Sequence, residues 1–404
     1  MIDRVSTNPL SSCSADKAFF MTGLVVWLFC RILLTSQYGY GGGLFASLLR
    51  FGVYAGVFLC LFSELFVRSV NRNSLALIAV LAAFAVILLR VGGNDIISLL
   101  IIAFSSRHYQ FRDILEIATM VTLVSVLVVV GSFTVGVIGQ VLNDRRMTGS
   151  LGFGWTTFLS HYYLALVTGY SVLRGNRIKI FEIIIMILLD LSIWRFTGAR
   201  NSAVLVLVFV AGVLAVKAGW IRKKGKSQAV LAAISVPICA LLAWFLFMVI
   251  DPYTNFGVVL DTLFTGRLAL AHRAVDLYGI APFGNVVTWV TNSSIVSGAY
   301  ESSQYLYVDS SYINILINYG WVFSLAVLAS LSVVAYKATT YGGNLVGIAL
   351  IIFAIHGIVD PQLLDLHYCV FLLLLGNLFD SSKEWTVRME GFAATEIEAH
   401  RTQS

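Results

Sequence analysis

The chain is 404 residues long, 58% hydrophobic and only 12% charged, with 27 basic and 21 acidic side chains and a formal net charge of +6. A soluble domain carries roughly 25% charged residues, so a water-soluble enzyme is excluded. The basic residues lie between apolar runs, where they orient helices, so the positive balance does not imply nucleic acid.

Asp3, Arg4 and Lys17 precede the first apolar run and no small-x-small cleavage site follows it, so that run reads as a signal anchor. Spanning segments are predicted near 18–34, 44–67, 75–90, 95–105, 114–138, 154–173, 178–195, 201–217, 229–250, 311–334, 345–359 and 364–380. These runs match the roughly 17 to 25 apolar residues that cross a bilayer, with the 75–90/95–105 pair divided at "LLRVGGNDII". The fold class is therefore an all-α polytopic membrane protein of about twelve transmembrane helices. It forms one transmembrane domain over residues 1–404, with one large extracytoplasmic loop at 251–308. The five cysteines show no CxxC spacing and read as buried thiols, without a redox or metal role.

Lys/Arg asymmetry puts both termini on the cytoplasmic side, with "IRKKGK" (Ile221 to Lys226) as the strongest inside marker. With that orientation every lysine falls inside, and every outer basic residue is an arginine. A guanidinium presents a planar fork that grips phosphate at two points, so an arginine-only outer face points to a phosphate-bearing ligand.

Taken in chain order, "NDRRMTGSLGFGW" (Asn143 to Trp155) places Arg145 and Arg146 outside, against the topological trend. "SIWRFTGARNSAVLVL" (Ser192 to Leu207) flanks an outer turn with Arg195 and Arg200. In the large loop, Val258 to Tyr278 has Leu260, Phe264, Leu268, Ala271 and Val275 at helical spacing. It reads as an interfacial helix decorated by Arg267, His272, Arg273 and Asp276. His272 and Asp276 at i, i+4 offer a base and its orienter, and Arg273 and Asp276 a competing surface ion pair. "GIAPFGN" (Gly279 to Asn285) breaks that helix.

"VDSSYINILINYGW" (Val308 to Trp321) then re-enters the membrane. Asp309 stands at its mouth, either as a helix cap or as a proton acceptor. Ser311, Asn314 and Asn318 fall on one face of the helix, and amides in lipid are costly unless they face protein or water, so this face is expected to line an outward polar cleft. "IHGIVDPQLLD" (Ile355 to Asp365) adds His356 and Asp360 near an outer helix end. No GxGxxG, Walker, HExxH, GxSxG or DxD pattern is present, so no metal and no cofactor is expected.

These segments, in this order and on the outer face, resemble the oligosaccharide repeat-unit polymerases of bacterial capsule, exopolysaccharide and O-antigen synthesis (the Wzy family), which are related to the O-antigen ligases. "RRMTGSLGF" is similar to that family's basic residue before S-L-G-F, and "TGARNSAVLVL" to its T-x-S-R-x-A segment. "TGR" at 265–267 with "APFGN" resembles its outer-loop Gly-Arg and P-x-x-G. "DSSYINILINYGW" resembles its H/D-N-S-Y helix entry. The chain departs from the pattern with Gly154 and Trp155 after G-F, and with Asp309 where many members carry histidine. The resemblance implies a glycosyltransferase C-like fold and polymerisation of polyprenyl-diphosphate-linked oligosaccharides by metal-independent, inverting glycosyl transfer.

The implied site has Asp309, His272 and Arg267 as catalytic residues. Arg145, Arg146, Arg195, Arg200 and Arg273 would hold diphosphate, and Ser311, Asn314, Asn318, His356 and Asp360 would contact the rest of the substrate. The implied partners are the lipid-linked sugars, the bilayer of the bacterial cytoplasmic membrane, and flippase and chain-length regulator proteins. An O-antigen-type ligase and a flippase or transporter of lipid-linked oligosaccharide are the alternative activities.

Overall fold

The computed structural model describes residues 14–66, 72–143, 148–221, 226–291 and 299–392. Apart from a ribbon pairing β1 (Leu142–Asn143) with β2 (Thr148–Gly149), the described structure is helical. In chain order the helices are α1 (Ser14–Leu34), the single turn α2 (Gln37–Tyr40), α3 (Gly43–Phe62), α4 (Arg72–Val91), α5 (Asn94–Ser106) and α6 (Phe111–Thr134). After the ribbon come α7 (Phe158–Arg174), α8 (Ile180–Thr197), α9 (Arg200–Lys217) and α10 (Lys226–Trp244). The large loop holds α11 (Asn255–Leu263) and α12 (Arg267–Tyr278), and the chain ends with α13 (Ser311–Gly342), α14 (Asn344–His356) and α15 (Ser382–Arg388).

Six helical stretches among the described residues are long and apolar enough to cross a membrane: Ala15–Leu34, Gly43–Phe66, Phe111–Thr134, Arg200–Lys217, Lys226–Val249 and Ser311–Gly342. Their outward faces stay apolar, as Leu44, Leu48, Phe51, Tyr54 and Phe58 show along α3. In water such a surface would be an aggregation liability, whereas against hydrocarbon it is solvated. The chain thus has the make-up of a polytopic membrane protein. Lipid removes most of the hydrophobic gain from helix association, so close packing must supply it. Between α1 and α3, Gly23, Gly52 and Gly56 let the two backbones approach until a Cβ on any of them would overlap the partner helix. The predicted division between 75–90 and 95–105 is present, because Gly92 at φ 80° separates α4 from α5.

Helix polarity fixes one end of the bundle. α1, α8 and α14 finish there and α3, α5, α7, α9 and α13 begin there, beside α12 and the rest of the large loop. Contacts between these termini confirm the alignment: Thr35 bonds Tyr162 at 2.8 Å, Arg31 pairs with Asp95 at 2.6 Å, and Ser160 bonds Thr197 at 3.1 Å.

Two differences lie in the predicted spans. The spans at 345–359 and 364–380 are not two full helices. α14 stops at His356, residues 357–369 form a loop, and a 3-10 helix covers Val370–Asn377. Pro361 has no N–H and disfavours helical geometry at Asp360, which ends the helix. The loop is sunk among the helices, with Leu363, Leu364, Leu366, His367 and Tyr368 all buried. It satisfies its backbone through local turns and a bond from Leu363 N–H to Ser311 Oγ at 3.0 Å, which is how irregular backbone survives at such depth. The second difference is inside α13, where Gly320 leaves the helix at φ 85°, ψ 168°. Residues 281–285 fill the break: Trp321 and Val322 donate to the carbonyls of Ala281 and Pro282, and Asn285 N–H donates to Asn318 O. Gly284 and Gly320 meet there with no room for a Cβ on either.

Gly320→Ala is therefore expected to destabilise the protein by at least about 2 kcal/mol, combining left-handed strain with backbone overlap. Gly131→Ala, in α6 with open space around its Cβ position, should be neutral or mildly stabilising. Thermal unfolding of both variants in detergent checks the contrast.

Candidate functional site

The site begins with a turn. The predicted single helix over Val258–Tyr278 is broken between α11 and α12, where Thr265 (φ 60°) and Gly266 (φ 86°) take left-handed conformations. Asp261 Oδ1 accepts the amides of Leu268 and Ala269 at 2.8 and 3.1 Å, capping the new helix start. Leu268, Ala271 and Ala274 are buried against the bundle, which seats α12 over its end. The break makes Arg267 the first residue of α12. Its Nε pairs with Asp309 Oδ2 at 2.7 Å and its Nη1 donates to Val359 O at 2.6 Å. One side chain thus joins the large loop, the entry to α13 and the loop after α14.

Directly behind lies a buried group drawn from four elements. His161 comes from the first turn of α7, His356 ends α14, Asp360 follows in the sunken loop, and Asn201 and Ser202 open α9. Asp360 Oδ2 accepts a short hydrogen bond from Asn201 Nδ2 and lies 3.4 Å from His356 Nε2, while its Oδ1 is 3.7 Å from His161 Nε2. The two imidazoles meet edge to face with centroids 4.8 Å apart, and Ser202 Oγ is 3.4 Å from His356 Nε2. The side chains of His161, His356 and Asp360 are 3%, 5% and 8% exposed, far below those of Asp309 and Arg267, at 22% and 25%.

The other predicted residues are distributed as follows. Arg145 and Arg146 lie outside the described residues. Arg195 and Arg200 are exposed at the facing ends of α8 and α9, and Arg273 is exposed on α12. Arg267 is thus the one predicted arginine, among the described residues, that enters the cluster. His272 donates Nε2–H to the carbonyl of Ile250 at 3.1 Å, since a carbonyl can only accept. Neither His272 nor Arg273 makes an ion pair with Asp276. Ser311 is buried, with its hydroxyl on Asp360 O at 2.5 Å. The amide stripe is occupied by the protein itself. Asn314 Nδ2 bonds Val308 O, Asn318 Nδ2 bonds Asn314, and Asn318 Oδ1 accepts from Trp289 of the large loop at 3.2 Å. The face predicted to line a wet cleft is thus largely a seam holding the loop to the helix. Sequence reasoning missed His161, Asn201 and Ser202. The segment around Arg200 was singled out, but the polar residues that reach the cluster are its Asn201 and Ser202.

Electrostatics separate the two carboxylates. Burial raises the Asp309 carboxyl above the ordinary carboxylate value, with Arg267 opposing and Asp360 reinforcing the rise. Burial also acts upward on Asp360, but His356, His161, Arg267 and the Asn201 hydrogen bond together hold it below that value. Burial pushes Tyr305, in the loop before Asp309, up to about 12. Opposed shifts in neighbouring carboxylates are the usual basis for distinct acid–base roles. A carboxyl of raised proton affinity in partial contact with solvent (Asp309), a fixed cation (Arg267) and a buried carboxyl whose charged form is favoured (Asp360) are thereby assembled at one end of the bundle. Comparison with models of known protein families, and with curated protein sequences, gives no match.

Arg267→Met should cost about 2 kcal/mol or more by leaving the Asp309 carboxylate without its cation, and Arg267→Met/Asp309→Asn should recover most of that loss. The pH sign follows from linkage. A raised folded pKa stabilises fully below the unfolded value near pH 4, and that contribution disappears as pH rises through the folded pKa. Without Arg267 that pKa climbs further, so the single variant loses more stability than the parent as pH rises from about 4 through the folded pKa. The double variant should show no such excess in denaturation midpoints across that range.

Proposed function

We propose that the protein polymerises polyprenyl-diphosphate-linked oligosaccharide repeat units at the outer face of the bacterial cytoplasmic membrane. In this reading the chain has about twelve spans of the glycosyltransferase C-like kind with both termini cytoplasmic, so the end carrying α12 faces outward. The observation that carries the reading is the Arg267–Asp309 pair, which sets a carboxylate of raised pKa against a guanidinium at the mouth of α13. The resemblance of "TGR", "APFGN" and "DSSYINILINYGW" to polymerase segments supports it, since these three stretches come together in space.

Chemically, the acceptor hydroxyl of one repeat unit transfers its proton to Asp309 as its oxygen bonds the anomeric carbon of the growing chain. The bond from that carbon to the lipid diphosphate breaks on the opposite face, which inverts the centre. The departing diphosphate gains charge as it leaves, and in this reading Arg267 offsets that charge. Arg195 and Arg200, exposed at the same end, are placed to meet a phosphate arriving from the membrane surface.

A transporter of the same lipid-linked sugar is the second reading, favoured by the interruption of α13 at Gly320, since broken helices mark transporter binding sites. In this chain the loop residues 281–285 occupy the break, which leaves less of it for a substrate.

Incubation of the purified protein with a polyprenyl-diphosphate-linked repeat unit should yield a ladder of lengthened products. Asp309→Asn should reduce ladder formation about 100-fold or more in protein that still folds, as its helical circular dichroism checks. A ladder of undiminished rate from that variant removes Asp309 as the base. Absence of any ladder from the parent, with translocation of the lipid in proteoliposomes, would replace the polymerase with a transporter.

A further inference from the structure

We propose that His161, His356 and Asp360 form a binding site for a divalent transition-metal ion of the zinc class, with a coordination position left for water or a phosphate oxygen. The donor set is two imidazoles and one carboxylate, the combination that open zinc and related sites use. One ligand atom from each residue lies within 4.8 Å of the others, and all three residues are buried.

The spacing favours a shared ion over direct bonding. The separations of 3.4 Å (His356 Nε2 to Asp360 Oδ2) and 3.7 Å (His161 Nε2 to Asp360 Oδ1) exceed a hydrogen bond, which runs about 2.7–3.2 Å. Metal bonds of about 2.0–2.1 Å at tetrahedral angles put neighbouring ligand atoms roughly 3.3–3.4 Å apart, near the two Asp360 separations, while the widest pair, at up to 4.8 Å, has to close on the ion when it binds. His161 Nδ1, the ring nitrogen that does not face Asp360, and Oε1 of Gln362 are both buried without a partner in hydrogen-bond geometry. The Gln362 side chain interacts with the same imidazole. A bond from Nδ1–H to that amide oxygen would leave the Nε2 lone pair facing Asp360, as a metal ligand requires.

The supporting shell is already built. Asn201 holds Asp360 Oδ2, Ser202 Oγ stands beside His356 Nε2, and the Asp360 backbone is fixed by Ser311 on its own carbonyl and by Arg267 on that of Val359. Charge points the same way. Arg267 is the ion-pair partner of Asp309, so the buried Asp360 carboxylate has two imidazoles and an amide as its side-chain neighbours. A buried carboxylate is costly unless a cation, or a proton on one imidazole, balances it. No sequence pattern announced the site because its ligands come from two helices and a loop, at positions 161, 356 and 360.

The test uses the full-length protein in detergent, stripped with a chelator. Zn2+ affinity is measured against a chromophoric competitor, and Co2+ serves as a spectroscopic probe of ligand geometry. The expected result is one equivalent of Zn2+ per chain and visible Co2+ bands of a low-coordinate site. Both should be lost in His356→Gln and Asp360→Asn, and affinity should fall about 10–100-fold in Asn201→Ala, which removes only a supporting bond. Binding of much less than one equivalent by the parent, as an imidazolium–Asp360 ion pair would give, overturns the proposal. So does binding that Asn201→Ala and Asp360→Asn leave unchanged. If His356→Gln does not fold, the Asn201→Ala affinity and the parent's Co2+ spectrum still decide. Metal binding does not depend on the polymerase reading. A parent that takes up one Zn2+ but builds no ladder refutes only that reading, and a ladder formed by parent protein that binds no Zn2+ refutes only the metal site.

Discussion

A guanidinium shared between a carboxylate and a backbone carbonyl organises the working end of this bundle. Arg267 reaches Asp309 with Nε and Val359 O with Nη1, and so ties three segments that are remote in sequence. Its position is a consequence of backbone geometry. Had Val258 to Tyr278 stayed one helix, residue 267 would be one more mid-helix position among exposed neighbours. The left-handed pair Thr265 and Gly266 turns it into a helix start, and Asp261 stabilises that start by accepting two of its free amides. The energetic logic is that of any charge in a poorly hydrated place: each partner is costly alone, and the pair is tolerable because geometry holds both.

The same end depends on a second fit, between residues 281–285 and the break in α13. Gly320 frees a carbonyl on one side and two amides on the other, and the loop supplies a partner for each. Asn318 adds side-chain bonds to Asn314 and to Trp289, so the large loop is fastened along the first turns of α13. This fastening places Asp309, two residues before the helix, against Arg267. The loop is therefore a structural part of the site, and the residues that anchor it are mostly not those that would touch a substrate.

How much of this was legible follows from what one-dimensional patterns record. Apolar length marked helices wherever one ran straight, six of them long and apolar enough to cross a membrane, and the glycine pair at 92–93 marked the division of α4 from α5. It failed from Gly357 to Cys369, because a buried loop and a buried helix have the same composition; only Pro361 hinted at the difference. The stripe of Ser311, Asn314 and Asn318 was visible as polarity on one face, but polarity does not say whether water or backbone satisfies it. Arg195 and Arg200 drew attention by charge, yet the adjacent Asn201 and Ser202 reach the interior. His161 carried no signal at all, since its partners lie some two hundred residues away in the chain.

Asp309 and Asp360 show why that long-range assembly matters for chemistry. Both are carboxylates near the same guanidinium, and burial acts upward on both. What separates them is company. Asp360 has two imidazoles and an amide donor around it, so its charged form is the favoured one, whereas Asp309 has Arg267 alone and a like-charged neighbour behind it. The inner anion thereby raises the proton affinity of the outer one through space, and it can do so only because α7, α9 and the loop after α14 hold it fixed. The raised proton affinity of the carboxyl at the mouth of α13 is in this sense a property of residues 161, 201, 356 and 360 as much as of Asp309 itself.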